Sequence, residues 1–415
     1  MHYVIIGNGG AGTSALTTIR EVDPDSDITI LSKEKYPAYS PCSLPNLLSG
    51  EINGECVFRF DEDFYSRLNA RFLKSAEALR IRPRKKTVEL ADGKQLTFDR
   101  LLISAGAKPI TPKGMKGIGL EGVHIMGTLD SILGIIDHLD HGGVKKAVVV
   151  GGGFMGIETG TMLKKRGVDV TIVELLPRVL SRMLDPDVSK RVESILQGNG
   201  IELMLNTSVE SIVGENRVEG VLLGKKKKKI SCDMVVIAIG VAPNLAILTG
   251  SGTKANRGIL VDQNMRTSVK DIYAAGDITE VREVIQGNVG SYAIWPNAIE
   301  QGRVAALNMA GIPTEYDGAE MVNILDVFGT PVVAMGGTTE TIGKGNDREE
   351  IVREYSHSYR KLLLRDNRIL GLQFVGDVRN TGPFYSLMKE GIDVGSLKDR
   401  LLDENFVHLP DAMLS

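Results

Sequence analysis

The chain has 415 residues, with 49 Lys and Arg set against 52 Asp and Glu, and its formal charge of −3 excludes a general affinity for the nucleic-acid backbone. At 42% hydrophobic and 24% charged residues the composition is that of a globular protein long enough for two or three domains. No apolar run approaches the roughly 20 residues that cross a bilayer, and the opening "MHYVIIGNGGAG" has no basic and apolar leader, so a cytoplasmic protein without a membrane partner is expected.

The first segment, "YVIIG" at residues 3–7, reads as an apolar strand running into the glycine turn of Gly7, Gly9 and Gly12. A helix is expected over "TSALTTIREVD" and a second strand over "DITIL" at 27–31. Strand, glycine turn, helix and strand in that order suit a dinucleotide pyrophosphate: the glycines give a tight turn, a clear path for phosphate and close helix packing. Backbone N–H groups at the helix start then face the anion. Past the second strand the expected ribose-binding carboxylate is replaced by Ser32, with Lys33 beside it and Glu34 two residues on. Lys33, Lys35 and Arg20 are candidate partners for substrate phosphates.

"YSPCSLPNLLSGE" at 39–51 then sets a cysteine, Cys42, between two prolines. Alternation and a "DG" turn in "KKTVELADGKQLTFDRLLIS" predict an antiparallel insert. "DRLLISAGAKP" follows as a strand ending at Gly106, returning the chain to the sheet.

The pattern recurs from residue 147, where "AVVVGGGFMGIETG" carries Gly151, Gly153 and Gly156, a helix follows, and "VDVTIV" leads to Glu174. An acid about twenty residues beyond the glycines accepts hydrogen bonds from an adenosine ribose. Its charge opposes a 2′-phosphate, so NADH is favoured over NADPH, with Arg178 the counter-indication four residues downstream. "VEGVLLGKKKKKISCDMVV" repeats the antiparallel insert, Lys225 to Lys229 reading as a solvated hairpin cap or a docking patch for an acidic electron carrier, and "CDMVVIAIGVAPN" repeats the closing strand up to Gly240. "TSVKDIYAAGDITE" at 267–280 places Gly276 and Asp277 at the end of a strand, where a carboxylate can grip a polyol, and "NAIEQGRVAALNMAG" reads as a helix. Beyond "GIPTEYDG" come strand-like "MVNILDVFGTPVVAMGG" and "REYSHSYRKLLLRDNRILGLQFVG", then helix-like "NTGPFYSLMKEGIDVGSLKDRLL".

These segments, in this order, resemble the pyridine nucleotide–disulfide oxidoreductases. The resemblance implies an α/β fold with two Rossmann-like three-layer dinucleotide-binding domains, like glutathione reductase, and a C-terminal α+β interface domain. It implies an FAD-binding domain over 1–115 and 241–316, an NAD(H)-binding domain over 116–240 and a dimerisation domain over 317–415. FAD would sit on Gly7, Gly9, Gly12, Ser32, Lys33, Gly106, Gly276 and Asp277, and NADH on Gly151, Gly153, Gly156, Glu174 and Gly240.

Only three cysteines occur, Cys42, Cys56 and Cys232, without a CxxC pair or metal-ligand spacing, so no metal is expected. Leu47 stands where the paired-cysteine members carry their second thiol. "PCSLP" instead resembles the single-cysteine branch of coenzyme A disulfide reductase and NADH oxidase, which puts Cys42 on the position of the redox nucleophile. Ala38, Tyr39 and Pro41 depart from that branch's usual Ser, Phe and Asn. Cys56 reads as a packing residue, although a disulfide with Cys42 stays open, and Cys232 reads as buried without chemistry. That branch uses tyrosines of the C-terminal domain, for which Tyr355 and Tyr359 are the candidates beside their plainer reading as a polar strand edge. The resemblance thus implies a homodimer that passes electrons from NADH through FAD and Cys42 to a small disulfide, persulfide or polysulfide such as coenzyme A disulfide. The alternatives are oxygen, for an NADH oxidase, and an iron–sulfur carrier such as rubredoxin or ferredoxin.

Overall fold

The structure is a computed structural model, and it describes residues 1–61, 63–224, 228–343 and 348–403. Its contacts divide the chain into two compact units, one of residues 1–47, 52–108 and 241–320, the other of residues 48–51, 109–240 and 321–415. The regions expected to bind NADH and to form the interface domain therefore share one unit.

In the first unit a five-stranded sheet runs, in spatial order, Ile272–Ala274, Arg100–Ile103, His2–Ile6, Asp27–Leu31 and Ala70–Leu73. All of its pairings are parallel. Parallel sheets need cover on both faces, which is why these strands are continuous apolar runs. Tyr3 and Ile5 point to one face, packed with Leu16, Ile19, Val304 and Ala305 from the helices Gly10–Val22 and Trp295–Met309. Val4 and Ile6 point to the other, where Ile81 and Val88 of the antiparallel insert cover them. That insert pairs Ala78–Arg82, Thr87–Leu90 and Gln95–Thr97, with its turn at the expected "DG".

The second unit repeats the plan. Its sheet of Glu202–Met204, Asp169–Val173, Lys146–Val150, Met234–Ile237 and Val123–Ile125 is again parallel throughout. Val148, Val150 and Val235 pack on one face against Ile212, Val221 and Leu223 of the second insert. The helix Phe154–Lys165 lies on the other face, so close at Gly160 that a Cβ there would stand 2.9 Å from Ile172. Of the lysine run, Lys228 and Lys229 lie in the strand Lys228–Ile230, whereas Lys225 to Lys227 lie outside the described residues.

The same unit holds a five-stranded antiparallel sheet, in spatial order Val322–Val327, Thr330–Gly336, Arg368–Val375, Ser358–Arg365 and Arg348–Tyr355. The helix that follows is shorter than the sequence suggests. It spans Thr381–Glu390 and stops at Gly391, whose φ of +61° ends helical hydrogen bonding. Among the described residues, no helix is long and apolar enough to cross a membrane.

Candidate active site

The two glycine turns are built alike, and each glycine has its own reason. Gly7 has φ +114°, and a Cβ on it would lie 2.1 Å from Ser104 O; Gly151 has φ +114°, and its Cβ would lie 2.4 Å from Ala238 O. A Cβ on Gly12 would stand 1.9 Å from Gly7 O, and one on Gly156 would stand 1.9 Å from Gly151 O. Those contacts are impossible, so the outer glycines are fixed by the strand-to-helix turn itself. Gly9 and Gly153 have nothing within 4 Å of their Cβ positions. The open space at each middle glycine, at the N-terminal end of a helix, fits a pyrophosphate in both units.

Further residues shape the first cradle. The helix Trp295–Met309 reaches the helix Gly10–Val22 through Gly302, whose Cβ would lie 2.2 Å from Ala11 O. Its Gln301 accepts hydrogen bonds from Gly276 N–H at 2.8 Å and Thr279 Oγ1 at 2.8 Å, fixing the turn that carries Asp277. Burial pushes the Asp277 carboxyl up to about 6. A carboxyl at this depth suits a polyol whose hydroxyls donate to it. Ser32 Oγ accepts from Glu34 N–H at 3.1 Å, and Lys33 pairs with Glu77 at 2.8 Å on the surface. Gly106, three residues past the strand Arg100–Ile103, has φ +60°.

Arg20 is engaged by the backbone. Its guanidinium donates to the backbone carbonyls of Leu68 at 2.7 Å, Ser26 at 2.9 Å and Asn69 at 3.1 Å, and also to those of Pro24 and Asp23. These bonds clamp the end of the first helix to the neighbouring loops.

In the second cradle Glu174 is held from two sides, accepting from Gly152 N–H at 2.5 Å and Leu176 N–H at 2.7 Å. Arg178 turns elsewhere, donating to Glu340 at 2.6 Å and to Ser181 O at 3.3 Å. The carboxylate is thus oriented beside the glycine turn while Arg178 is engaged by another acid. Gly240, with φ +103°, lies three residues past the strand Met234–Ile237. Glu158, absent from the sequence-based candidates, lies on the helix Phe154–Lys165 just past Gly156, and burial pushes its carboxyl up to about 7. An acid between small and apolar residues in "MGIETG" was the signal for it.

Cys42 lies in a single turn of 3-10 helix, Pro41–Ser43, and is exposed. The chain leading to it is zipped to a second loop. Ser40 N–H donates to Val57 O at 3.0 Å, Arg59 N–H donates to Ala38 O at 2.9 Å, and Tyr39 bridges Phe58. Tyr65 joins this loop to the first glycine turn: its hydroxyl donates to Asn8 Oδ1 at 2.8 Å and accepts from Ala38 N–H at 3.2 Å. Leu47 is buried, Cys56 is exposed, and Cys232 is buried with its thiol pushed up to about 12 by burial.

Tyr355 and Tyr359 are both engaged in packing within their own unit. Tyr355 donates to Leu402 O at 2.8 Å. Tyr359 is buried, donates to Asp187 and carries the Arg191 guanidinium 4.0 Å above its ring. Beside it the buried Lys361 ammonium meets Asp185 at 3.0 Å, Asp187 at 3.1 Å and Glu350 at 3.0 Å. No group of three or more residues suited to a metal occurs among the described residues.

Comparison with known proteins agrees with this architecture. Residues 1–302 match the family described as pyridine nucleotide-disulphide oxidoreductase, and residues 322–392 match the rubredoxin NAD+ reductase C-terminal domain. A protein named NADH oxidase from Methanocaldococcus jannaschii is 31% identical, over 91% of this chain and 88% of its own. The epsilon subunit of an NADH-dependent phenylglyoxylate dehydrogenase from Aromatoleum evansii is 30% identical over 96% of this chain and 94% of its own. Among solved structures, a NAD-dependent persulfide reductase from A. fulgidus superposes with a TM-score of 0.90 at 29% identity, covering 96% of this chain and 78% of that one.

Proposed function

The chain belongs to the pyridine nucleotide-disulphide oxidoreductase family, a flavin-dependent NAD(P)H oxidoreductase, and from that premise we propose that it passes electrons from NADH through FAD to Cys42 and on to a small sulfur compound. The acceptor class is a disulfide, persulfide or polysulfide, with coenzyme A disulfide as the representative. The observation that carries this reading is the exposed Cys42 on a loop tied through Tyr65 to the first glycine turn.

When bound, flavin and nicotinamide would supply the hydride transfer that side chains do not perform. The protein's own residues divide the remaining work. Gly7, Gly9, Gly12, Gly106, Gly276 and Asp277, with Ser32 and Lys33 at the ribose edge, hold FAD. Gly151, Gly153, Gly156, Gly240 and Glu174 hold NADH, and Glu174 discriminates against the 2′-phosphate of NADPH because Arg178 is engaged by Glu340. Cys42 attacks the substrate as thiolate and expels one thiol. The bonds of Tyr355 to Leu402 O and of Tyr359 to Asp187 within their own unit favour a packing role for both tyrosines over a part in the chemistry.

A second reading, an NADH-dependent reductase of an iron–sulfur carrier, draws on the match of residues 322–392. Relative kcat/KM values with coenzyme A disulfide, polysulfide, oxygen and rubredoxin separate the two. The sulfur compounds are expected to be the better acceptors, and a dominant rate with rubredoxin would replace the proposal by the second reading.

A further inference from the structure

We propose that Glu340, just past the strand Thr330–Gly336, is a positioning residue for nucleotide choice: it holds Arg178 off the 2′-phosphate of NADPH, so the C-terminal segment takes part in setting the preference for NADH. This rests on the reading of Glu174 as the ribose ligand.

Arg178 sits on a short loop closed upon the second glycine turn. At one end of the loop Glu174 accepts from Gly152 N–H at 2.5 Å, and at the other Leu180 N–H donates to Gly152 O at 2.8 Å. Both ends therefore meet the same residue of the turn. Leu180 takes φ +50°, a left-handed conformation unfavourable for a bulky side chain, so the loop is closed against local preference. Two residues span at most about 7 Å, which keeps the Arg178 backbone beside the turn. An arginine placed so near the ribose acid is the residue type that accommodates a 2′-phosphate when it is free to turn.

Here it is drawn toward the C-terminal segment. Arg178 Nη2 donates to Glu340 Oε1 at 2.6 Å and to Ser181 O at 3.3 Å. The Arg178 side chain is 17% exposed and that of Glu340 63%, so the guanidinium is covered and the carboxylate holding it stands in solvent. Arg178 Nε is buried and has no acceptor among the described residues. The pairing is thus one-pronged, and a guanidinium released from it has the paired donors that grip phosphate. Glu340 is stationed by its neighbour: Thr339 N–H and Oγ1 donate to Asp185 Oδ1 at 2.9 and 2.8 Å. Asp185 is held in turn by Gln373, which accepts from its N–H at 2.8 Å, and by Lys361 at 3.0 Å. The segment from Glu174 to Asp185 is therefore fastened to the C-terminal sheet at Arg178 and again at its end. A pair with one partner in solvent holds weakly, so losing Glu340 moves the guanidinium without unfolding the unit.

The test is calorimetric titration of the flavin-loaded protein with NAD+ and NADP+, a binding measurement that needs no turnover. Wild type is expected to bind NAD+ more tightly. Glu340→Ala and Glu340→Lys are each expected to tighten NADP+ about tenfold relative to NAD+, the size of one charge-assisted contact. Arg178→Ala alone is expected to keep the wild-type ratio, and Arg178→Ala added to Glu340→Ala is expected to restore it. An unchanged ratio in both Glu340 variants overturns the proposal, as does equal weakening of both nucleotides, which a merely structural role would give. A gain that survives in the double variant also overturns it, since another cation such as the exposed Arg182 would then be the phosphate partner. Tighter binding of NADP+ by the wild type overturns instead the reading of Glu174 on which the proposal rests.

Discussion

Tyr65 donates its hydroxyl hydrogen to Asn8 Oδ1 across 2.8 Å, linking the short helix Phe64–Arg67 to the loop between Gly7 and Gly9. The same oxygen accepts from Ala38 N–H, and its ring stacks on Phe72 with centroids 4.2 Å apart. One buried side chain therefore fixes both the phosphate turn and the start of the Cys42 loop. Tyr65→Phe keeps the ring packing but leaves two buried polar groups unpaired. We expect a loss of about 1–3 kcal/mol in denaturant unfolding and slower alkylation or oxidation of Cys42. Unchanged Cys42 reactivity would show that the link does not position the thiol.

The glycine turns predict separable losses. In Gly12→Ala the new Cβ meets a carbonyl oxygen at 1.9 Å, so the variant should purify with little flavin. Gly156→Ala faces the same clash in the second unit and should keep its flavin while NADH affinity falls roughly tenfold or more. Flavin absorbance and NADH titration read the two effects independently.

Glu158 gives a prediction in pH. Burial raises its carboxyl from 4.5 to about 7 in the folded protein, so folding retains a proton that the unfolded chain gives up. Its contribution to stability is fully present below 4.5 and is lost as pH rises through 7. Glu158→Gln removes that titration. The stability of the variant relative to wild type should therefore climb from pH 4 to pH 8, by about 2–3 kcal/mol, in urea unfolding of the flavin-loaded protein. A difference that stays flat with pH would place the titration elsewhere.

Much of the fold was legible because its signals are local. An apolar strand, a glycine whose Cβ would strike a carbonyl and a following helix are enforced within about fifteen residues, and both turns formed where the sequence put them. Cys42 stood out for the same reason. What the sequence hid is long-range. Nothing near Tyr65 announces Asn8, 57 residues away, and nothing near Cys56 announces a ladder to residues 38–40. Arg20 is a candidate phosphate partner in sequence because its charge is visible there, whereas the ring of carbonyls that accepts from its guanidinium is assembled only by folding. The C-terminal helix is shorter than the helix-like segment suggests because the left-handed turn at Gly391 ends it.

The central claim, that electrons from NADH reach the substrate through Cys42, is tested most directly by anaerobic NADH titration and coenzyme A disulfide turnover in wild type and Cys42→Ser. The account predicts that the variant still takes up electrons from NADH into its flavin, loses the long-wavelength thiolate-to-flavin absorption, and loses disulfide turnover. Undiminished disulfide turnover in Cys42→Ser would contradict it.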